Sequence, residues 1–213
     1  MPDLPDGAWG WLHDLARWIG TWCFAPFFRL RVHHRGRVPL TGPVVVVANH
    51  SALVDGPLLY GLLGRRAVFL VKDEMFRGPL GYLLPRMGQL AVRRGTVDRR
   101  PLTAALEVLR GGGMVVVFPE GTRGTGEVAA ARQGAAWLAR QAQAPMLPLV
   151  CRGTHRPSGG GRRLRPRVDV LVGRPLPVPS GRGRAELADA TDGIRTALVT
   201  LIAELDEIRV SET

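Results

Sequence analysis

Two short stretches of this 213-residue chain carry residue types that could do chemistry. The first, NHSALVD, follows four valines and an alanine and sets His50 and Asp55 with four residues between them. An imidazole with an ordinary pKa of about 6.5 can take a proton from a hydroxyl, and a carboxylate on its other ring nitrogen fixes the tautomer and steadies the imidazolium. The same Asp stands before Gly56 and Pro57, where it could equally cap a helix running on to Leu63. Spacing alone leaves both readings open. Ser51 adjoins His50, but no G-x-S-x-G elbow surrounds it, and a neighbouring position does not aim a nucleophile.

The second stretch is FPEGTR, residues 118–123. A strand opening into this turn brings together a carboxylate at Glu120, a backbone amide at Gly121, a hydroxyl at Thr122 and a guanidinium at Arg123. Such a set can hold a phosphate, with Arg123 bidentate, Thr122 bonding through its hydroxyl, and Glu120 aligning the arginine or a substrate hydroxyl. An ordinary loop with an internal Glu–Arg pair is the plainer alternative.

These residues need elements to position them. Residues 44–48, 67–71, 90–92, 114–118, 146–151 and 168–172 are short apolar runs that read as strands, and their continuous apolarity predicts burial on both faces. Between them lie helical patterns, including residues 99–113, with Pro101 in the first turn and glycines at the end, residues 130–143, and residues 185–205. Residues 156–167 read as a basic loop. The alternation predicts an α/β fold with a central, mostly parallel sheet flanked by helices. In such sheets ligands gather at the carboxyl ends of strands. Asn49 and His50, Lys72, Arg93 and Arg94, and the PEGTR turn each follow a strand directly, so they should converge on one rim.

Together the two stretches resemble the glycerolipid acyltransferases typified by 1-acylglycerol-3-phosphate acyltransferase. The family's N-H-x-x-x-x-D motif is matched by Asn49, His50 and Asp55. Its K-x-E-x-F-x-x-P motif, running on to a glycine and an arginine, is matched by Lys72, Glu74, Phe76, Pro79, Gly88 and, by spacing, Arg94. F-P-E-G-T-R is matched throughout, and a V/A-P-x-x-P strand by Ala144, Pro145 and Pro148. Arg93 departs from the pattern, standing where the family usually has an Asp. The resemblance implies transfer of an acyl group from acyl-CoA or acyl carrier protein to a lysophospholipid hydroxyl. His50 would be the general base, oriented by Asp55. Arg94, Thr122 and Arg123 would hold the acceptor phosphate, and Lys72 would reach a phosphate or pair with Asp73 or Glu74. No metal or cofactor is implied.

Composition bounds the partners. A formal charge of +11 favours anionic ones. Nucleic acid is disfavoured, because the aromatics cluster with aliphatic residues in one helix instead of alternating with arginines along a strand. Two distant cysteines make neither a disulfide framework nor a zinc site. The acidic start, MPDLPDG, lacks the basic region of a secretory signal, and no apolar run is long enough to span a bilayer. Residues 1–36 are expected to form an N-terminal membrane-association segment and residues 37–213 the acyltransferase domain. In the former, an amphipathic helix ending near Pro26 places Trp11, Leu15, Trp18 and Trp22 on one side and His13, Asp14, Arg17 and Thr21 on the other. The expectation is a peripheral anchor on the cytoplasmic face of the cell membrane, with Arg17, Arg29, Arg31 and Arg35 facing anionic lipid.

Overall fold

The computed structural model describes residues 3–24, 26–93, 99–119, 128, 133–155, 164–181 and 183–212. In chain order the elements are α1 (Gly10–Cys23), β1 (Arg29–His33), β2 (Val44–Ala48), α2 (Asp55–Leu62), β3 (Ala67–Lys72), α3 (Gly78–Arg86), β4 (Leu90–Val92), α4 (Arg100–Arg110), β5 (Met114–Val117), α5 (Gly134–Ala142), β6 (Met146–Arg152), β7 (Arg167–Val172) and α6 (Arg184–Ser211). The strands form one sheet in the order β1-β7-β6-β2-β5-β3-β4. Every neighbouring pair is parallel except β6 and β7.

The valine run of β2 explains why its pattern does not alternate. Val45 and Val47 face one way, into a core shared with Leu109, Leu138, Leu198 and Leu205 of the helices α4, α5 and α6. Val44, Val46 and Ala48 face the other way, against Leu58, Leu59 and Phe69. All five are fully buried, so each side of the strand must be apolar. Strands β2, β5, β3 and β4 lie side by side and run the same way, which brings their carboxyl ends to one rim.

The N-terminal region departs from the expected division. Residues 29–33, placed by the sequence in a membrane-association segment, are edge strand β1 of the sheet, paired in register with β7. Its alternating Arg and apolar residues suit an edge with one wet face. Arg31 there is ion-paired with Glu212, and Arg29 donates to the carbonyl of Arg165. Helix α1 packs on α2 through its polar side. Gly20 meets Gly61 so closely that a Cβ built on Gly61 would lie 2.6 Å from a Gly20 backbone atom. Thr21 donates to the Gly61 carbonyl, Tyr60 donates to the His13 carbonyl, and Arg66 holds Asp14 and Asp3.

His13 is fully buried. Its Nδ1 lies 2.7 Å from the Met87 carbonyl, and its Nε2 accepts from the Ala67 amide at 3.4 Å. Burial lowers its pKa, against the raising effect of the Met87 carbonyl, and the two bonds together require the neutral Nδ1–H form. Arg17, expected to face lipid, has its Nε buried. The apolar side of α1 faces outward, with Trp11, Trp18 and Trp22 each more than 60% exposed. No helix among the described residues is long and apolar enough to cross a membrane.

Candidate active site

His50 follows β2 at the rim and Asp55 opens α2. The β2–β6 ladder ends at Ala48 and Leu149, and beyond it Asn49 continues the join with its side chain. The buried Asn49 amide donates to the Cys151 carbonyl at 3.1 Å and accepts from the Cys151 amide at 2.8 Å. A short polar side chain is thereby used as one more rung, and it fixes where the next residue, His50, leaves the sheet.

Asp55 is the first residue of α2 and not its cap, since the cap position is Val54 and no side chain bonds the first turn, and its Oδ2 does two other jobs. Its Oδ2 accepts from the backbone amides of Ser51 at 2.7 Å and Ala52 at 2.8 Å, which closes the loop between β2 and α2. The same atom lies 3.3 Å from His50 Nδ1. Burial alone would raise the Asp55 carboxyl, but hydrogen bonds involving His50, Thr154, Ala52 and Ser51 outweigh it and hold the group below the usual carboxylate range. Asp55 is therefore ionised and can only accept, so His50 carries its proton on Nδ1. Nε2 then carries the ring's lone pair, as a base requires.

Thr154 is a member of this site that the sequence did not single out. It is buried, and its hydroxyl lies 3.0 Å from that of Ser51. It follows β6 by two residues and stands 103 positions from Ser51, a proximity created by the β2–β6 pairing and invisible to any local motif. Ser51 serves through its amide and its contact with Thr154, in keeping with its exclusion as a nucleophile.

Phe118, directly after β5, stacks on the His50 ring with centroids 4.2 Å apart and planes 21° apart. β5 is the neighbour of β2, so the FPEGTR segment begins beside His50. Its Glu120, Gly121, Thr122 and Arg123 lie outside the described residues, as does Arg94. Lys72 closes β3 on the same rim. Asp73 forms its ion pair with Arg93 at 3.0 Å, which offsets the extra charge that Arg93 brings. An apolar groove lined by Met146, Leu176, Pro177 and Ala190 opens at the opposite end of β6 and contains none of these groups.

The arrangement is an imidazole with its tautomer set by a buried carboxylate, at the carboxyl-end rim of an open α/β sheet. It suits activation of a hydroxyl for attack on an acyl group. Comparison with known proteins agrees. The chain is 26% identical over 188 residues to the 1-acyl-sn-glycerol-3-phosphate acyltransferase of Bacillus subtilis, covering 84% of this chain and 91% of that protein. It is 39% identical over 112 residues to the lyso-ornithine lipid O-acyltransferase of Pseudomonas aeruginosa, covering 52% of this chain and 42% of that one. To the human 1-acyl-sn-glycerol-3-phosphate acyltransferase beta it is 33% identical over 138 residues, or 60% and 48% of the two chains. The chain thus spans less than half the length of the last two. The crystal structure of the 1-acyl-sn-glycerophosphate acyltransferase PlsC from Thermotoga maritima superposes with a TM-score of 0.71 at 25% identity, over 90% of this chain and 80% of that one. Residues 29–152, which include β1, the His50–Asp55 pair and β6, match the acyltransferase family, and the chain belongs to that family.

Proposed function

We propose that the protein transfers an acyl group to the free hydroxyl of lysophosphatidic acid, giving phosphatidic acid, with acyl-CoA or acyl carrier protein as donor. The observation that carries this reading is the His50–Asp55 geometry, in a chain with similarity to 1-acyl-sn-glycerol-3-phosphate acyltransferases. The acceptor hydroxyl gives its proton to His50 Nε2 while Nδ1–H is held by Asp55. The alkoxide oxygen bonds to the thioester carbonyl carbon, the C–S bond breaks, and the departing thiolate takes the proton back from Nε2. General-base help of this kind contributes roughly 10²–10⁴-fold.

Arg94, Thr122 and Arg123 are assigned to the acceptor phosphate on the strength of the motif match, with Glu120 aligning the arginine or a substrate hydroxyl, Gly121 offering its backbone amide, and Lys72 reaching a phosphate from β3. The acceptor is a lipid, so the rim must meet a headgroup layer. The outward tryptophans of α1, with Phe27 and Leu53 exposed near the rim, support a peripheral association with a membrane surface. Such a layer suits tryptophan because an indole ring is apolar in body and polar at its N–H.

Similarity to the lyso-ornithine lipid O-acyltransferase favours a second reading, in which the acceptor is an amino-acid lipid. The deciding experiment gives purified protein acyl-CoA or acyl carrier protein donors with lysophosphatidic acid, lyso-ornithine lipid or monoacylglycerol in mixed micelles, and identifies the lipid product by mass. Phosphatidic acid as the main product is the expected result. Preferential acylation of the lyso-ornithine lipid would establish the second reading, and acylation of none of the three would overturn both.

A further inference from the structure

Asp55 restrains His50 along one ring edge, 3.3 Å from Nδ1, and a hydrogen bond fixes a direction more than the plane of a ring. The face of the ring is where the second restraint lies. Phe118 lies nearly flat against it, and Phe118 is itself backed by Phe69 at 6.2 Å and 41°. Phe69 and Tyr60 are both buried and their rings meet at 5.9 Å, and Tyr60 meets the buried ring of His13 at 4.8 Å. The result is an aromatic column from the rim to the inner side of α1, in which Phe118 is the layer that touches the base.

Resting on the acyl-transfer reading above, we infer that Phe118 is a positioning residue for His50. It fixes the plane of the imidazole so that Nε2 faces the acceptor hydroxyl, and it offers its negative ring face to the imidazolium formed when the proton is taken. An aromatic face contributes about 0.5–2 kcal/mol to a nearby cation. Converted to a rate, that is roughly a 2- to 30-fold effect on kcat. Phe118 carries no side-chain group that could bond a phosphate, so KM should move little. The aromatic ring is the relevant property, which distinguishes this role from filling space.

The test compares Phe118→Leu, Phe118→Tyr and Phe69→Leu in the full chain, with thiol release measured against lysophosphatidic acid concentration. Phe118→Leu should lower kcat by roughly 2- to 30-fold with KM within about twofold. Phe118→Tyr should restore most of the rate. Phe69→Leu, which loosens the same core one layer further from the base, should cost much less in kcat. Equal kcat losses for Phe69→Leu and Phe118→Leu, or no rescue by Phe118→Tyr, would reduce Phe118 to a packing residue and overturn the inference. Should Phe118→Leu not fold, the wild-type protein still decides the matter. The carbon-bound ring protons of His50, assigned by their loss in His50→Ala, should be shifted upfield by the Phe118 ring current, and ordinary shifts would refute the stack. Wild-type protein that consumes no thioester with any lyso-acceptor would instead refute the acyl-transfer reading and leave the stack to be judged by the ring-proton shifts alone.

Discussion

Replacing Asp55 by Asn and by Ala separates the two jobs assigned to its Oδ2. In Asp55→Asn the new amide oxygen can still accept from the Ser51 and Ala52 backbone amides, so the loop between β2 and α2 should hold its shape. That oxygen takes the place of Oδ2 and still accepts from His50 Nδ1–H, while the NH2 group falls at the place of Oδ1, which is buried without a hydrogen-bond partner among the described residues. The tautomer is kept, but the negative charge that steadies the imidazolium formed when Nε2 takes the acceptor proton is gone. The base is thereby weakened without being removed, and kcat should fall by up to roughly 10²–10⁴-fold, or about 2.7–5.5 kcal/mol of barrier. Thermal stability should stay near that of the wild type. Asp55→Ala should lose the same activity and also leave two backbone amides without an acceptor, at about 1–3 kcal/mol each. Both variants are read by thiol release from acyl-CoA in the presence of lysophosphatidic acid, and by thermal unfolding. An Asp55→Asn enzyme that unfolds normally and keeps kcat within tenfold would refute a catalytic role for the Asp55 charge. One that unfolds as early as Asp55→Ala would make Asp55 chiefly a loop-closing residue.

Further outcomes follow from the same structure. Gly61→Ala forces a Cβ against the Gly20 carbonyl carbon and the Thr21 nitrogen, at 2.6 and 2.7 Å. Overpacking of this kind costs about 1–3 kcal/mol, a Tm drop of roughly 2–12 °C for a chain of this size, whereas Gly20→Ala, whose nearest contact is 3.4 Å, should cost far less. His13 has a lowered folded-state pKa, so the unfolded chain takes up its proton first as the pH falls. Its contribution is complete above the unfolded value of about 6.5 and is lost as pH falls toward the folded value, so denaturant midpoints should drop over that window, and less steeply in His13→Gln. Replacing Trp18 and Trp22 together by Ser should leave Tm unchanged, because both rings face outward, yet weaken co-sedimentation with anionic vesicles and lower turnover on vesicle-borne acceptor; unchanged sedimentation would move the membrane face elsewhere.

Much of the sheet was readable because β2, β5 and β6 are buried on both faces, so their valines, leucines and methionines run without interruption. Edge strand β1 was not, because Arg29, Arg31 and His33 interleave with Leu30 and Val32 and read as a basic tail after a helix. The antiparallel turn of β7 against β6 has no local signal either. Periodicity divided α1 into a tryptophan side and a polar side. It could not show that the polar side packs inward, since that depends on Met87 and Ala67 supplying hydrogen bonds to His13 from 74 and 54 residues away. At the site, His50 and Asp55 were legible from spacing and from the motifs around them. The Asn49 rung to Cys151 and the arrival of Thr154 follow from strand pairing and were not, and the gathering of His50, Ser51 and Ala52 on one Asp55 oxygen depends on how the loop turns. Glu120, Gly121, Thr122, Arg123 and Arg94 rest on the motif match.

The central claim is that His50 is the base of an acyl transfer to a lysophospholipid hydroxyl. Its most direct measurement is acceptor-dependent thiol release by wild-type and His50→Ala protein under saturating acyl-CoA and lysophosphatidic acid, with phosphatidic acid quantified in parallel. The expected result is a loss of kcat of roughly 10²–10⁴-fold in a variant that unfolds at the wild-type temperature. Near-normal acceptor-dependent release of thiol and formation of phosphatidic acid by His50→Ala would contradict it.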